Sequence, residues 1–222
     1  MKLVVVTVGF DEKLPLRGIL KVGLDIGDVV ALVYSMSGGE HDVKRVVRAI
    51  EVLKEIIGGA KVSVVEVEVS GTNFYDDVAR ILRFLKEQKI GEVVAVLTGG
   101  MRLLAFEVLF ALLIFHRHRR REFTRCDVFL MREDGLYDII LPIESFYATL
   151  SETGLFVMRI IGNHGELKRS QLVRIASREA GVSESAVYKA IRDLVKKRIV
   201  VVENDNVKLT EIGRLLITIL GE

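Results

Sequence analysis

The spacing of apolar residues changes character several times along this chain, and each change predicts an element. Leu3-Val4-Val5-Val6-Thr7-Val8 is an almost unbroken apolar run, as expected of a strand covered on both faces. Val29 to Tyr34 and Val93 to Leu97 repeat it, whereas Val65-Glu66-Val67-Glu68-Val69 alternates, which exposes one face and predicts an edge strand. Between these runs the period becomes helical. Val43, Val46, Val47, Ile50, Leu53 and Ile57 form one stripe, and Phe74, Val78, Ile81, Leu82 and Leu85 another. Val128 to Met131 and Tyr137 to Ile143, turning at Asp134-Gly135, read as a hairpin that adds an antiparallel strand. Strand and helix in alternation predict an α/β, Rossmann-like, mostly parallel sheet with helices on both faces.

Beyond residue 145 the pattern is different. Leu155 to Ile161 is an apolar helix ahead of Gly162-Asn163, and Ser170 to Ala180 is a second helix that buries Leu172, Ile175 and Ala176. Gly181-Val182 makes a tight turn into a third helix, Ser183 to Lys196, whose Val187, Ala190, Ile191 and Leu194 recur at i, i+3, i+4 and i+7. Ile199 to Val202 and Val207 to Leu209 flank the polar cluster Glu203-Asn204-Asp205-Asn206, the layout of a β-hairpin, and Thr210 starts a last helix. This succession predicts a winged helix-turn-helix. The chain therefore divides into an α/β domain over 1–145, a linker over 146–154 and a winged helix-turn-helix over 155–222.

In that arrangement the third helix enters the major groove of double-stranded DNA. Ser183 caps it; Ser185, Tyr188, Lys189 and Arg192 reach base edges or phosphates; Lys196 and Lys208 lie over the backbone. The plainer alternative is a solvated cationic face. Glu203 and Asp205 at the hairpin tip repel phosphate, which narrows any wing contact to Asn206 and Lys208.

In a doubly wound sheet the ligand crevice lies at the carboxyl ends of the strands. Four loops should arrive there: Gly9-Phe10-Asp11, Ser35-Met36-Ser37-Gly38-Gly39, Ser70-Gly71-Thr72-Asn73 and Thr98-Gly99-Gly100-Met101-Arg102. Glycines let backbone approach a phosphate closely, and the helix start after Gly100 adds free amides beside the Arg102 cation. The candidate ligand residues are Gly9, Phe10, Asp11, Ser35, Ser37, Thr98, Gly99, Gly100, Met101 and Arg102. Each also has an ordinary reading, as strand-to-helix turn or helix cap. No G-x-G-x-x-G follows the first strand and no G-x-x-x-x-G-K-[ST] occurs, so neither a nicotinamide dinucleotide nor nucleoside triphosphate hydrolysis is indicated.

A net charge of only +2 means that DNA affinity has to come from a local cationic surface. Cys126 is the single cysteine, which points to a reducing interior and a cytoplasmic protein. Leu103 to Phe115 is apolar but short for a membrane span and is interrupted by Glu107, so it reads as a helix buried against the sheet or against a partner subunit. His116 to Arg121 is the strongest cationic run; it suits a helix C-terminus or a nucleic-acid backbone. No metal-ligand constellation and no cofactor is expected.

With these residues in view, the chain resembles the archaeal CRISPR-associated Rossmann-fold (CARF) regulators that carry a winged helix. Thr7-Val8-Gly9-Phe10-Asp11-Glu12-Lys13 looks like that family's first-strand loop, and Gly99-Gly100-Met101-Arg102 is similar to its second motif. The resemblance implies a homodimer whose two CARF domains share a pocket for a cyclic oligoadenylate, foremost cyclic tetra-adenylate, as regulatory ligand. It implies that Gly9 to Asp11 and Thr98 to Arg102 line that pocket, with Ser35 and Ser37 as additions. The function it implies is transcriptional regulation of CRISPR-associated genes through promoter DNA, without an enzymatic activity. A ring nuclease that degrades the cyclic oligoadenylate, and a DNA-binding regulator that senses another nucleotide, are the alternatives.

Overall fold

A computed structural model of the chain describes residues 1–88, 91–119, 124–132, 134–146 and 150–220, with backbone alone for 119, 215 and 218–220. The described residues form two compact units, Met1–Ile143 and Glu144–Glu222.

In the first unit, strands β1 (Lys2–Thr7), β2 (Val29–Ser35), β3 (Ser63–Val69), β4 (Glu92–Val96), β5 (Arg125–Met131) and β6 (Asp138–Pro142) form one sheet in the order β3-β2-β1-β4-β5-β6. The first five are parallel, and β6 runs antiparallel to β5. The alternating strand β3 is at the edge, as its sequence predicts. Helices α1 (Lys13–Val22), α2 (Glu40–Gly58), α3 (Phe74–Glu87) and α4 (Arg102–Arg119) connect the parallel strands.

The period of two along each strand separates two cores. Val4, Val6, Val30, Leu32, Val94, Val96 and Phe129 pack with Ile19 of α1 and with Val46, Ala49, Ile50, Leu53 and Ile57 of α2. Leu3, Val5, Ala31, Val33, Val93, Ala95, Cys126 and Val128 pack with Val78, Ile81 and Leu85 of α3 and with Leu104, Val108, Ala111, Leu112 and Phe115 of α4. Two helix stripes differ from expectation. Val47 is 37% exposed, its place in the core taken by the small Ala49, and the stripe of α3 includes a buried acid, Asp77.

The second unit starts with α5 (Glu152–His164), three residues before the expected helix because the Ser151 side chain accepts a hydrogen bond from Gly154 N and caps it. Next come β7 (Glu166–Lys168), α6 (Arg169–Ala180), α7 (Glu184–Lys196), β8 (Val200–Glu203), β9 (Asn206–Leu209) and α8 (Glu211–Leu220). Gly181, in the left-handed region at φ 63°, ends α6, and Ser183 accepts from Ala186 N to start α7. The hairpin turns through Asn204 and Asp205, both at positive φ, the conformation of a two-residue turn that matches strand twist. The three-residue β7 escapes the sequence pattern; it pairs with β9 and gives a three-stranded sheet in the order β7-β9-β8. One core, centred on Val157, Ile161, Leu172, Ala176, Val187, Ile191, Leu194, Ile199 and Val207, holds the unit together.

Candidate functional site

Parallel pairing brings the carboxyl ends of β1 to β5 to one rim, and the chain order reverses between β1 and β4. A cavity of about 140 Å3 sits at that reversal, lined by Val8, Gly9, Phe10, Ser35, Ser37, Val46, Gly100, Met101 and Leu104. Its floor is apolar. Its walls are loop backbone and hydroxyls.

Glycine is required where the loops meet. A Cβ on Gly9 would lie 2.5 Å from the Cα of Gly100, so the β1 and β4 loops touch through bare backbone. Gly100 itself adopts φ +83° before α4 begins. On the opposite wall, Ser37 N donates to Ser35 Oγ (3.1 Å), and Ser35 Oγ lies 2.8 Å from Ser37 Oγ and 3.1 Å from the Ser70 carbonyl oxygen. Ser37 Oγ also contacts Met101 Sδ at 4.0 Å. Gly71, at φ +69°, closes this wall: a Cβ there would meet Ser35 Oγ at 2.3 Å, Ser37 Oγ at 2.5 Å and Met101 Cε at 3.0 Å.

The β3–α3 loop is held by Asp77. Its carboxylate accepts from Ser70 N (2.7 Å), Ser70 Oγ (2.9 Å) and Gly71 N (2.8 Å) while being almost fully buried. Asn73 caps α3 by accepting from Asp76 N. Glu107 of α4 is fully buried, and neither carboxyl oxygen has a hydrogen-bond partner among the described residues. Burial, reinforced by the charge of Asp77, pushes its pKa up from the ordinary carboxyl range to about 7.

Of the ten ligand residues expected from sequence, the cavity collects Gly9, Phe10, Ser35, Ser37, Gly100 and Met101. Four others do not line it. Asp11 is exposed and accepts from Lys13 N (2.6 Å), which serves the start of α1. The Thr98 hydroxyl is buried near Gly18 of α1, and Gly99 packs on Pro15, whose Cγ would be 2.7 Å from an added Cβ. Arg102 is exposed in the first turn of α4. Sequence reasoning missed Val46, Leu104 and the role of Gly71, and it missed Arg45, whose guanidinium carbon lies 4.8 Å from the centre of the Phe10 ring at the cavity mouth. Asp77 carried a signal, an acid inside the apolar stripe of α3.

The model of the Csa3 CRISPR-associated Rossmann-like domain family matches residues 2–140. The chain belongs to that family. No curated protein matches it. Among solved structures, the Csa3-type chain is similar to Can2 from Sulfobacillus thermosulfidooxidans in complex with cyclic tetra-adenylate, at 14% identity and TM-score 0.44, over 98% of this chain and 63% of that one. It is also similar to Enterococcus italicus Csm6 bound to cyclic hexa-2′-fluoro-hexa-dAMP, at 12% identity and TM-score 0.48, over 88% of this chain and 54% of that one. The chain thus spans less than two thirds of the length of either structure.

Outside its cavity, the Csa3-type domain carries an exposed apolar face. Leu103, Phe106 and Phe110 occupy one side of α4 at i, i+3 and i+7, with Phe106 65% exposed. Phe74 of α3 stacks edge-on with Tyr75 and tilted against Phe110, which extends the face to Tyr75. The basic run begins within the last turns of α4, at a helix C-terminus as expected: His116 is buried while Arg117 and His118 are exposed. Arg120 and Arg121 lie outside the described residues. No helix among the described residues is long and apolar enough to cross a membrane, and none of their His, Cys, Asp and Glu form a group that could hold a metal ion.

In the second unit, Tyr188, Lys189, Arg192 and Lys196 are exposed on α7, opposite the buried Val187, Ala190, Ile191 and Leu194. Lys189, Arg192 and Lys196 make no ion pair among the described residues. Ser183 and Ser185 share a 2.9 Å hydroxyl contact, so their oxygens are engaged at the helix start. Lys208 is not a free cation: its Nζ is 2.6 Å from Glu203 Oε2, which raises its pKa. Arg169, at the start of α6, pairs with Asp205 in the hairpin turn at 2.8 Å. A broad open depression of about 640 Å3 runs along α6, lined by Gln171, Arg174, Arg178 and Leu167 among others.

Proposed function

We propose that this Csa3-type protein is a ligand-responsive transcriptional regulator of CRISPR-associated genes. The single observation that carries the reading is the coexistence in one chain of a CARF-type cavity at the sheet reversal and a helix pair followed by a β-hairpin, with a cationic face on α7 that makes no ion pair among the described residues. The second unit is read as a winged helix-turn-helix. Its α7 lies in the major groove, with Tyr188, Lys189 and Arg192 toward bases and phosphates, Ser183 and Ser185 at the helix N-terminus, Lys196 over the backbone, and Lys208 contributing after it leaves Glu203.

The regulatory ligand is a cyclic oligoadenylate, foremost cyclic tetra-adenylate. A cavity of about 140 Å3 holds only part of such a ring, so one protomer supplies half of the site. The exposed α4 face of Leu103, Phe106 and Phe110 with Tyr75 supports a homodimer in which two such halves complete a two-fold site. In that site Gly9, Gly100 and the start of α4 meet phosphates, Arg102 supplies charge, Met101 and Phe10 lie against bases, and Ser35 and Ser37 bind polar edges. Asp11, Thr98 and Gly99 support these loops from behind. The Ser35 and Ser37 hydroxyls are bonded to one another and to the Ser70 carbonyl oxygen, a role in shaping the wall that supports binding without cleavage.

Fluorescence anisotropy with labelled promoter DNA, in the presence and absence of cyclic tetra-adenylate, tests the proposal. Saturable promoter binding that shifts with the ligand supports it, and linear products on incubation would move the protein to the ring nucleases.

A further inference from the structure

The least comfortable group in the first unit is Glu107. It is fully buried on the core stripe of α4, one turn after the cavity residue Leu104, and both of its oxygens lack partners among the described residues. A charged carboxylate in that position would be strongly disfavoured, whereas a protonated one is tolerable. The neighbouring acid is Asp77, equally buried but satisfied by the Ser70 and Gly71 donors. Two acids thus share one interior between α3 and α4, and only one of them has hydrogen bonds to stabilise a charge.

Among the described residues no cation acts on Glu107. β1 and β2 present Leu3, Val5, Ala31 and Val33 to this side of the sheet. On α4 the adjoining core positions are Leu104, Val108 and Ala111. On α3, Asp76 and Arg80 flank Asp77 but are exposed to solvent. Asp77 is the ionisable group that acts on Glu107.

We propose that Asp77 and Glu107 form a coupled pair of buried carboxyls that positions the β3–α3 turn against the ligand cavity, with the proton on Glu107 allowing Asp77 to keep its grip on Ser70 and Gly71. Neither residue touches the cavity. Both act through Gly71, which abuts Ser35, Ser37 and Met101. When Glu107 loses its proton, two negative charges face each other in a poorly solvated interior. The easiest relief is displacement of the α3 start, which breaks the three hydrogen bonds to Asp77 and releases the wall formed by Gly71. Ligand affinity then depends on the Glu107 proton by ordinary linkage, falling as pH rises.

The ligand part of this inference rests on the cyclic oligoadenylate reading; the loop part does not. The test therefore has two arms. In the first, hydrogen exchange of the Ser70 and Gly71 amides is measured without ligand and corrected for intrinsic rates, from about pH 5 to pH 8.5, so that the window spans the decline below the Glu107 pKa and the plateau above it. Wild type loses protection as pH rises toward 7, by up to about tenfold per pH unit, the limit for a single proton, and levels off above. Glu107→Gln and Glu107→Met keep their protection throughout, and Asp77→Asn lacks it at every pH. In the second, calorimetric titration with cyclic tetra-adenylate over the same range shows affinity falling with pH in wild type and level in both Glu107 variants. Protection that is independent of pH in wild type, or that falls equally in the Glu107 variants, overturns the proposal. The expected exchange pattern without binding at any pH sustains the loop mechanism and refutes the ligand.

Discussion

Gly9 and Gly100 meet backbone to backbone at the sheet reversal, with room for no side chain between them: a methyl on Gly9 would sit 2.5 Å from the Gly100 Cα and 2.6 Å from its amide nitrogen. The contact joins the β1 and β4 loops, so the cavity owes its shape to two residues that have no side chains. Substitution there acts on position before chemistry.

Gly9→Ala is accordingly expected to push the β4 loop aside, lowering stability by about 1–3 kcal/mol and cyclic tetra-adenylate affinity by at least about tenfold. Thermal melts and calorimetric titration measure the two effects. Gly99→Ala, which clashes with Pro15 and the Thr7 carbonyl instead, should lower stability with a smaller loss of affinity.

Glu107 makes a separate prediction about stability. Its pKa stands near 7 in the folded protein against 4.5 for a free carboxyl. Between those values the folded state binds more protons than the unfolded one, so stability is greatest below about pH 4.5, declines as pH rises toward 7 and levels off above. Glu107→Gln removes this decline and should raise stability near pH 8 by on the order of 2–3 kcal/mol. Denaturant unfolding at pH 5 and pH 8 reads the difference.

On α7, Arg192→Ala should weaken promoter binding by about 1–3 kcal/mol and relax base preference at one position, while Lys196→Ala should weaken all sequences alike and reduce the salt dependence by about one phosphate contact. Anisotropy titrations at several salt concentrations separate these outcomes.

Glu203 holds Lys208 at 2.6 Å, so Glu203→Gln frees a cation at the hairpin. Promoter affinity should rise several-fold at low salt and the salt dependence should steepen. An unchanged titration would place the hairpin away from DNA.

Much of the fold was legible in the chain because burial imposes period. The unbroken run at Leu3 to Val8 and the alternation at Val65 to Val69 located a central and an edge strand, and Val187, Ala190, Ile191 and Leu194 located the buried face of α7. The cavity was legible in part. Glycines at Gly9 and Gly100 mark close approach, yet sequence does not say whether the neighbour is a ligand or another loop, and for Gly99 it is Pro15. Arg45 is one of several exposed charges on α2 until Phe10 is seen beneath it. Glu107 reads in sequence as an interruption of an apolar run; its meaning depends on Asp77, thirty residues earlier, and only tertiary packing joins them. The three-residue β7 has too few positions to display a period at all.

The central claim is that one chain couples a nucleotide cavity to DNA recognition, and the most direct measurement is promoter affinity at increasing cyclic tetra-adenylate. The account predicts a saturable change of at least about fivefold, the lower end of ordinary allosteric coupling, whose midpoint moves to at least about tenfold higher ligand in Gly9→Ala. Promoter binding that stays constant while calorimetry shows the ligand bound would contradict it.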